Sequence, residues 1–257
     1  MTPEEIVGPI DDERPHFVPE DFLSYLRETG LDTAALGVAP RVVLTYVPHE
    51  AATAEAWDLE PSPQWIYRNP LYSRPGSTIC LTKGPVGAPA AVGLLEELAA
   101  LGARELWLLG YSGSLDPELP LGSVWAPDRA FPDEGTSRHY GAGDGPALPS
   151  PRLLDALVST APAVQQGAIW TTDAIYRETP TKIRRFQGQG ARGVDMETSA
   201  LFHVGRVLGV DVAALMVVSD ELFHAWRPGF RDPAVDAGVR RAYDVLGAVL
   251  GVTGTDN

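Results

Sequence analysis

Apolar residues fall along this chain in two alternating rhythms. Short continuous runs at 41–47, 78–82, 105–109, 122–126, 167–172, 191–195 and 212–218 have the length and β-branched content of buried strands. Between them the spacing turns helical. Residues 90–101 put Leu94, Leu95, Leu98 and Leu101 on one face. Residues 153–160, 197–208 and 235–249 repeat that habit, 181–188 reads as a short helix or turn, and a brief helical pattern lies near 20–27. Residues 48–76, broken by prolines, read mostly as an irregular excursion, and 132–149 as a polar Gly/Pro-rich loop. Strands that alternate with helices predict an α/β fold, with a mixed, largely parallel central sheet flanked by helices on both faces. The length fits one domain over 1–257, with 1–40 as an N-terminal cover on a 41–257 core.

Composition narrows this picture. Hydrophobic residues make up 44% and charged residues 21%, ordinary globular usage. A formal net charge of −14 argues against a surface that coats nucleic acid, while leaving room for a local cationic pocket. The single cysteine, Cys80, lies between Ile79 and Leu81. It excludes an intrachain disulfide and a cysteine metal site, and reads as a buried strand thiol. No His-Glu-x-x-His spacing or Gly-x-Ser-x-Gly elbow occurs, so neither a metal site nor a serine hydrolase is expected. The acidic start Met1-Thr2-Pro3-Glu4-Glu5 has no apolar signal core, and no run approaches the ~20 apolar residues of a membrane span. The expectation is a cytoplasmic protein with no membrane or nucleic-acid partner.

In a parallel sheet, ligands gather beyond the carboxyl ends of the strands. That rule selects five segments. Lys83-Gly84-Pro85-Val86-Gly87 and Gly110-Tyr111-Ser112-Gly113-Ser114 offer backbone donors to an anion, or are tight turns. The stretch from Thr171 through Asp173, Ile175 and Tyr176 to Glu178 crowds polar groups and an aromatic ring at a strand end, or forms a capped corner. Asp195-Met196-Glu197 puts two carboxylates at a strand-to-helix junction. A carboxylate there accepts from both hydroxyls of a cis-diol, or answers the helix dipole. Ser219-Asp220-Glu221 follows an apolar strand; Asp220 reads as a buried acid or a helix cap. Of the histidines, His139 in the polar loop is the one considered for function, and His203 reads as structural.

Taken together, these segments resemble the purine nucleoside and uridine phosphorylase family. The most specific match is Gly193-Val194-Asp195-Met196-Glu197-Thr198-Ser199-Ala200-Leu201, followed roughly twenty residues later by Ser219-Asp220. Asp133-Glu134-Gly135-Thr136-Ser137-Arg138-His139-Tyr140 is similar to a segment of uridine phosphorylase-like members. The resemblance implies that Glu197 binds the ribose 2′- and 3′-hydroxyls, with Asp195 nearby and Met196 packed on the sugar. Ile175 and Tyr176 would lie along the base or sugar. Asp220 would be the acid that assists a departing purine, with Ser219 beside it. Gly110, Tyr111 and Ser112 would lie at the phosphate end, with Lys83 as a candidate cation. Inorganic phosphate would be co-substrate, with no organic cofactor or metal, in a dimer-based homo-oligomer, often a hexamer. The pattern departs at that same end. Leu108 stands where the family places an arginine, Tyr111 where it has serine or threonine, and Asp11-Asp12-Glu13-Arg14 is a poor match for its N-terminal phosphate loop. Phosphorolysis of a purine nucleoside or uridine is therefore the leading expectation. Hydrolysis by water and a non-catalytic nucleoside-binding homologue are the alternatives.

Overall fold

A computed structural model describes residues 15–252. The segment Asp11 to Arg14 lies outside these residues. The strands are β1 Arg41–Thr45, β2 Glu60–Pro61, β3 Leu71–Ser73, β4 Ile79–Lys83, β5 Glu105–Ser114, β6 Val124–Asp133, β7 Gln165–Thr172, β8 Ala191–Asp195, β9 Asp211–Glu221 and β10 Arg227–Pro228. The helices are α1 Pro19–Glu28, α2 Glu50–Ala56, α3 Ala88–Ala100, α4 Thr136–His139, α5 Pro151–Thr160, α6 Pro180–Gly188, α7 Thr198–Leu208 and α8 Pro233–Leu250.

All ten strands join one mixed sheet in the order β10-β9-β6-β7-β8-β5-β1-β4-β3-β2, and β9 also pairs with β5. That extra pairing closes β5, β9, β6, β7 and β8 into a ring, from which β1, β4, β3 and β2 extend as an open limb. The pairs β1–β4, β1–β5, β5–β9, β6–β7 and β7–β8 are parallel. The α/β class and the largely parallel sheet are thus as the apolar rhythm predicts.

Three strands run past their predicted ends. Residues 110–114, expected as a loop, belong to β5. Gly110 pairs with Met216, and Ser114 with Glu221. Glycine here serves packing rather than a turn. A Cβ on Gly113 would collide with Leu222 and come within 3.2 Å of Val194, so the strand crosses this crowded point with a bulge between Ser112 and Gly113. Likewise β6 continues to Asp133 and β9 to Glu221. The 48–76 excursion contains α2, β2 and β3, and the 132–149 loop contains α4.

Apolar side chains fill both faces. Leu94, Leu95 and Leu98 of α3 and Leu201 and Phe202 of α7 pack against Val42, Leu44, Leu106 and Met216. Across the sheet, Val239, Tyr243 and Leu246 of α8 cover Val43, Trp107 and Leu215. Each such fully buried side chain contributes about 1.5–3 kcal/mol. Cys80 is fully buried and takes the Ala39 N–H at 3.4 Å, and burial pushes its thiol up to about 12. It is an inert packing group.

Candidate active site

The carboxyl ends of β1, β4, β5, β8 and β9 converge where the sequence places its acidic residues. Asp195 ends β8 beside Thr171, its register partner on β7. Its Oδ1 accepts the Thr171 hydroxyl at 2.7 Å. Its Oδ2 accepts the Thr198 N–H at 2.8 Å, the Thr198 hydroxyl at 2.6 Å and the Glu197 N–H at 3.2 Å. Asp195 therefore caps α7 and pins the backbone that carries Glu197.

Glu197 is buried, and its Oε1 accepts the Gly87 N–H at 2.6 Å. Gly87 is the residue before α3, as Glu197 is before α7, so the carboxyl sits between the positive ends of two helices. Burial, and then the neighbouring Asp195 charge, raise its pKa above the ordinary value of 4.5. Asp195 is also raised by burial, but four donors to its carboxylate pull the other way. Glu197 is then the member of the pair that takes up a proton more readily. Met196 lies half-buried between them.

The β5 register sets the second carboxylate on the other side of β5 at the same end of the sheet. Gly113 pairs with Val194 on β8 and with Asp220 on β9, which puts those two backbones about 10 Å apart across β5. Asp220 Oδ2 lies 3.5 Å from the point a Gly113 Cβ would occupy. Asp220 Oδ1 accepts the Ser219 hydroxyl at 2.7 Å, and Oδ2 accepts the Trp226 indole N–H at 3.0 Å. Glu178, half-buried after β7, has its pKa pushed to about 7, by burial first and then by the charge of Asp220. In the sequence Glu178 carries no signal of a role of its own. Only its sequence proximity to Ile175 and Tyr176 hinted at one.

Other predicted residues fall elsewhere. Ser112 is buried, with its hydroxyl accepting the Trp125 indole N–H at 3.0 Å and its carbonyl accepting from Ser219 at 3.4 Å. Ile175 is half exposed and Tyr176 is 96% exposed, so in the single chain neither lies over a sheltered ligand. Gly110 and Tyr111 are strand residues, and the Tyr111 ring meets Phe230 edge-on at 6.3 Å. Lys83 ion-pairs with Glu50, the first residue of α2, at 3.0 Å. His49 and Arg240 share Asp236 at 2.6 and 3.1 Å, Arg74 pairs with Asp58, and Leu108 is buried. His139 is exposed, and His203 contacts the Tyr140 carbonyl at 2.9 Å. In the 133–140 segment, Asp133 holds Lys182 at 2.6 Å, and buried Glu134 accepts the Ser199 hydroxyl at 3.1 Å. A cavity of about 580 Å³ opens along this segment, lined by Asp133, Glu134, Arg138 and Arg185. Its Glu134 reaches the first turn of α7 through Ser199, whose N–H donates to the same Thr171 hydroxyl that Asp195 accepts, and the Asp195–Glu197 pair with its raised pKa values is the better candidate for chemistry.

The sequence from residue 41 to residue 249 matches the family profile described as Phosphorylase superfamily. The chain belongs to the phosphorylase superfamily. Its sequence relatives in that superfamily include a guanosine phosphorylase of Halorubrum lacusprofundi, 28% identical over 158 residues, covering 60% of this chain and 65% of the relative. The chain spans 54%, 65% and 66% of the length of three curated proteins that its sequence matches. Among solved structures, uridine phosphorylase from Vibrio fischeri ES114 superposes with a TM-score of 0.72 at 24% identity, over 85% of this chain and 93% of that one. AMP nucleosidase from Bacteroides thetaiotaomicron superposes with a TM-score of 0.69 at 24% identity, over 90% and 97%. These two likenesses establish the phosphorylase-superfamily fold. Among the described residues no helix is long and apolar enough to cross a membrane, and no His/Cys/Asp/Glu cluster is arranged to hold a metal.

Proposed function

We propose that this chain cleaves the N-glycosidic bond of a nucleoside, with phosphate as the attacking nucleophile, giving a free base and ribose 1-phosphate. The observation that carries the reading is the buried Glu197 carboxyl, clamped by the Gly87 N–H and backed by Asp195, with Asp220 across β5 from the strand that leads to it. A carboxylate so placed accepts both hydroxyls of a ribose cis-diol, with Met196 against the sugar. The reaction passes through a ribosyl cation-like state, and protonating the departing base lowers its barrier. General-acid help of this kind is worth about 10²–10⁴ in rate. Asp220, oriented by the Ser219 hydroxyl and the Trp226 indole N–H, faces a purine N7, and Glu178 beside it, with its pKa pushed to about 7, supplies near neutral pH the proton that the departing base takes up. Ile175 and Tyr176, exposed in the single chain, would close over the ligand in a homo-oligomer.

A second reading, hydrolysis, is favoured by one observation: Lys83 is already neutralised by Glu50. A phosphate dianion in a dry site needs cationic partners, and the buried Leu108 supplies none. Incubation of inosine, adenosine and uridine with and without phosphate separates the readings. Phosphate-dependent release of ribose 1-phosphate supports phosphorolysis, and equal turnover without phosphate supports hydrolysis. Calorimetric binding with no product by chromatography leaves a non-catalytic binder. Neither binding nor turnover rejects the nucleoside assignment.

A further inference from the structure

Tyr46 has no part in the chemistry above, yet the site is built around it. It follows directly after β1, and its N–H donates to the Leu109 carbonyl on β5 at 2.8 Å. The Gly84 N–H donates to the Thr45 carbonyl at 2.9 Å, which draws the 84–87 segment under the Tyr46 ring. The fit is so close that a Cβ on Gly84 would collide with the ring Cζ and the hydroxyl oxygen. The far end of that segment is Gly87, the donor to Glu197.

The Tyr46 hydroxyl oxygen is shut off from solvent and has no hydrogen-bond partner among the described residues. Burying a hydroxyl without a partner is unfavourable, and native interiors rarely leave one so. Burial, then the Glu197 and Asp195 charges, hold its pKa well above 10, so it keeps its proton and is a donor facing acceptors. Neither carboxyl takes that proton: Asp195 is filled by Thr171, Thr198 and the Glu197 N–H, and Glu197 holds the Gly87 N–H. A ribose hydroxyl suits both groups, because it donates to Glu197 through its hydrogen and accepts from Tyr46 through its oxygen.

We infer that Tyr46 is a second sugar-binding residue, donating to the same ribose edge that Glu197 accepts from, and that it makes the site selective for ribonucleosides over a deoxy analogue. The inference rests on the nucleoside reading of the Glu197 corner. Its sequence signal was slight, a tyrosine closing an apolar strand run.

The test is Tyr46→Phe, which keeps the ring and removes only the hydroxyl. Steady-state kinetics are measured on a ribonucleoside and its 2′-deoxy and 3′-deoxy analogues, with thermal unfolding of the ligand-free protein alongside. The expected result is a KM for the ribonucleoside raised about 10-fold or more, with a smaller change in kcat. That penalty vanishes on the analogue lacking the contacted hydroxyl. The ligand-free variant unfolds at the same temperature or higher, since it loses an unpaired polar atom. An unchanged KM on the ribonucleoside, or one equal penalty on all three substrates, overturns the role of Tyr46 while the nucleoside reading stands. A lower unfolding temperature for the ligand-free variant also counts against it, because the hydroxyl would then have an internal partner. A wild-type protein that neither binds nor cleaves any of the three overturns the reading beneath it.

Discussion

The proposed sugar end and the proposed anion end of this sheet edge are built on opposite principles. At the sugar end, Asp195 takes up the Thr171, Thr198 and Glu197 donors, and Glu197 is gripped by a backbone N–H of the facing helix start. Every bond there orients one buried carboxyl. At the other end the cations are spent on the protein itself: Lys83 on Glu50, and Arg240 on Asp236, which also bonds His49. The sugar grip is the more constraining, because a buried carboxyl tolerates few surroundings.

If that contrast is right, the largest loss comes from Glu197→Ala. Two charge-assisted hydrogen bonds to the ribose disappear, and kcat/KM falls by about 10²–10⁴-fold. Initial rates on inosine measure it. A loss under about threefold would remove Glu197 from the sugar site and erase the contrast at its stronger end.

Next in size is Asp220→Asn. Turnover of a purine nucleoside falls by about 10²–10⁴-fold, while a nucleoside with a good leaving group loses far less. Equal losses on both substrates would deny Asp220 any part in base departure.

The buried acids also make stability depend on pH. Glu197 binds its proton more tightly when folded than the unfolded chain does, so its contribution is fully present below the ordinary glutamate range. That contribution declines as pH climbs towards the raised value and changes no further above it. Glu178, raised to about 7, adds a smaller slope of the same sign because it is partly solvated. The unfolding temperature of the wild type should fall by roughly 5–10 °C between about pH 5 and about pH 9, and Glu197→Gln should flatten much of that fall. Scanning calorimetry across the range decides. A curve that rises with pH over this interval would mean that folding does not raise the Glu197 pKa.

How much of this was legible in the sequence follows from how local each signal is. The strands at 41–45, 79–83 and 191–195 and the helix carrying Leu94, Leu95 and Leu98 announce themselves through their own periodicity. So does Glu197 at a helix start. The far half of β5 could not be read this way. Gly110, Ser112 and Gly113 look like a turn, and only pairing with a strand about a hundred residues away makes them a ladder. Tyr46 and Glu178 were passed over for a related reason. What marks them is a missing partner and a nearby charge, both set by tertiary packing. Lys83 was read as a possible anion ligand because the sequence does not reveal that Glu50 reaches it.

The smallest effect probes the weaker end. Glu50→Gln removes the charge that neutralises Lys83 at 3.0 Å while keeping the side chain's size. Both groups are partly solvated, so the pair itself contributes little to stability, and the fold should be indifferent. The freed ammonium lies at the end of β4, where the 84–87 segment begins, and is then available to an anion. Phosphate should bind about three- to tenfold more tightly, a gain that fades with salt as expected for a partly exposed charge. Its measure is the KM for phosphate, or a calorimetric titration if turnover needs no phosphate. An unchanged phosphate affinity would place the anion away from Lys83. A rise in phosphate dependence would show that one acidic side chain holds the two ends apart in character.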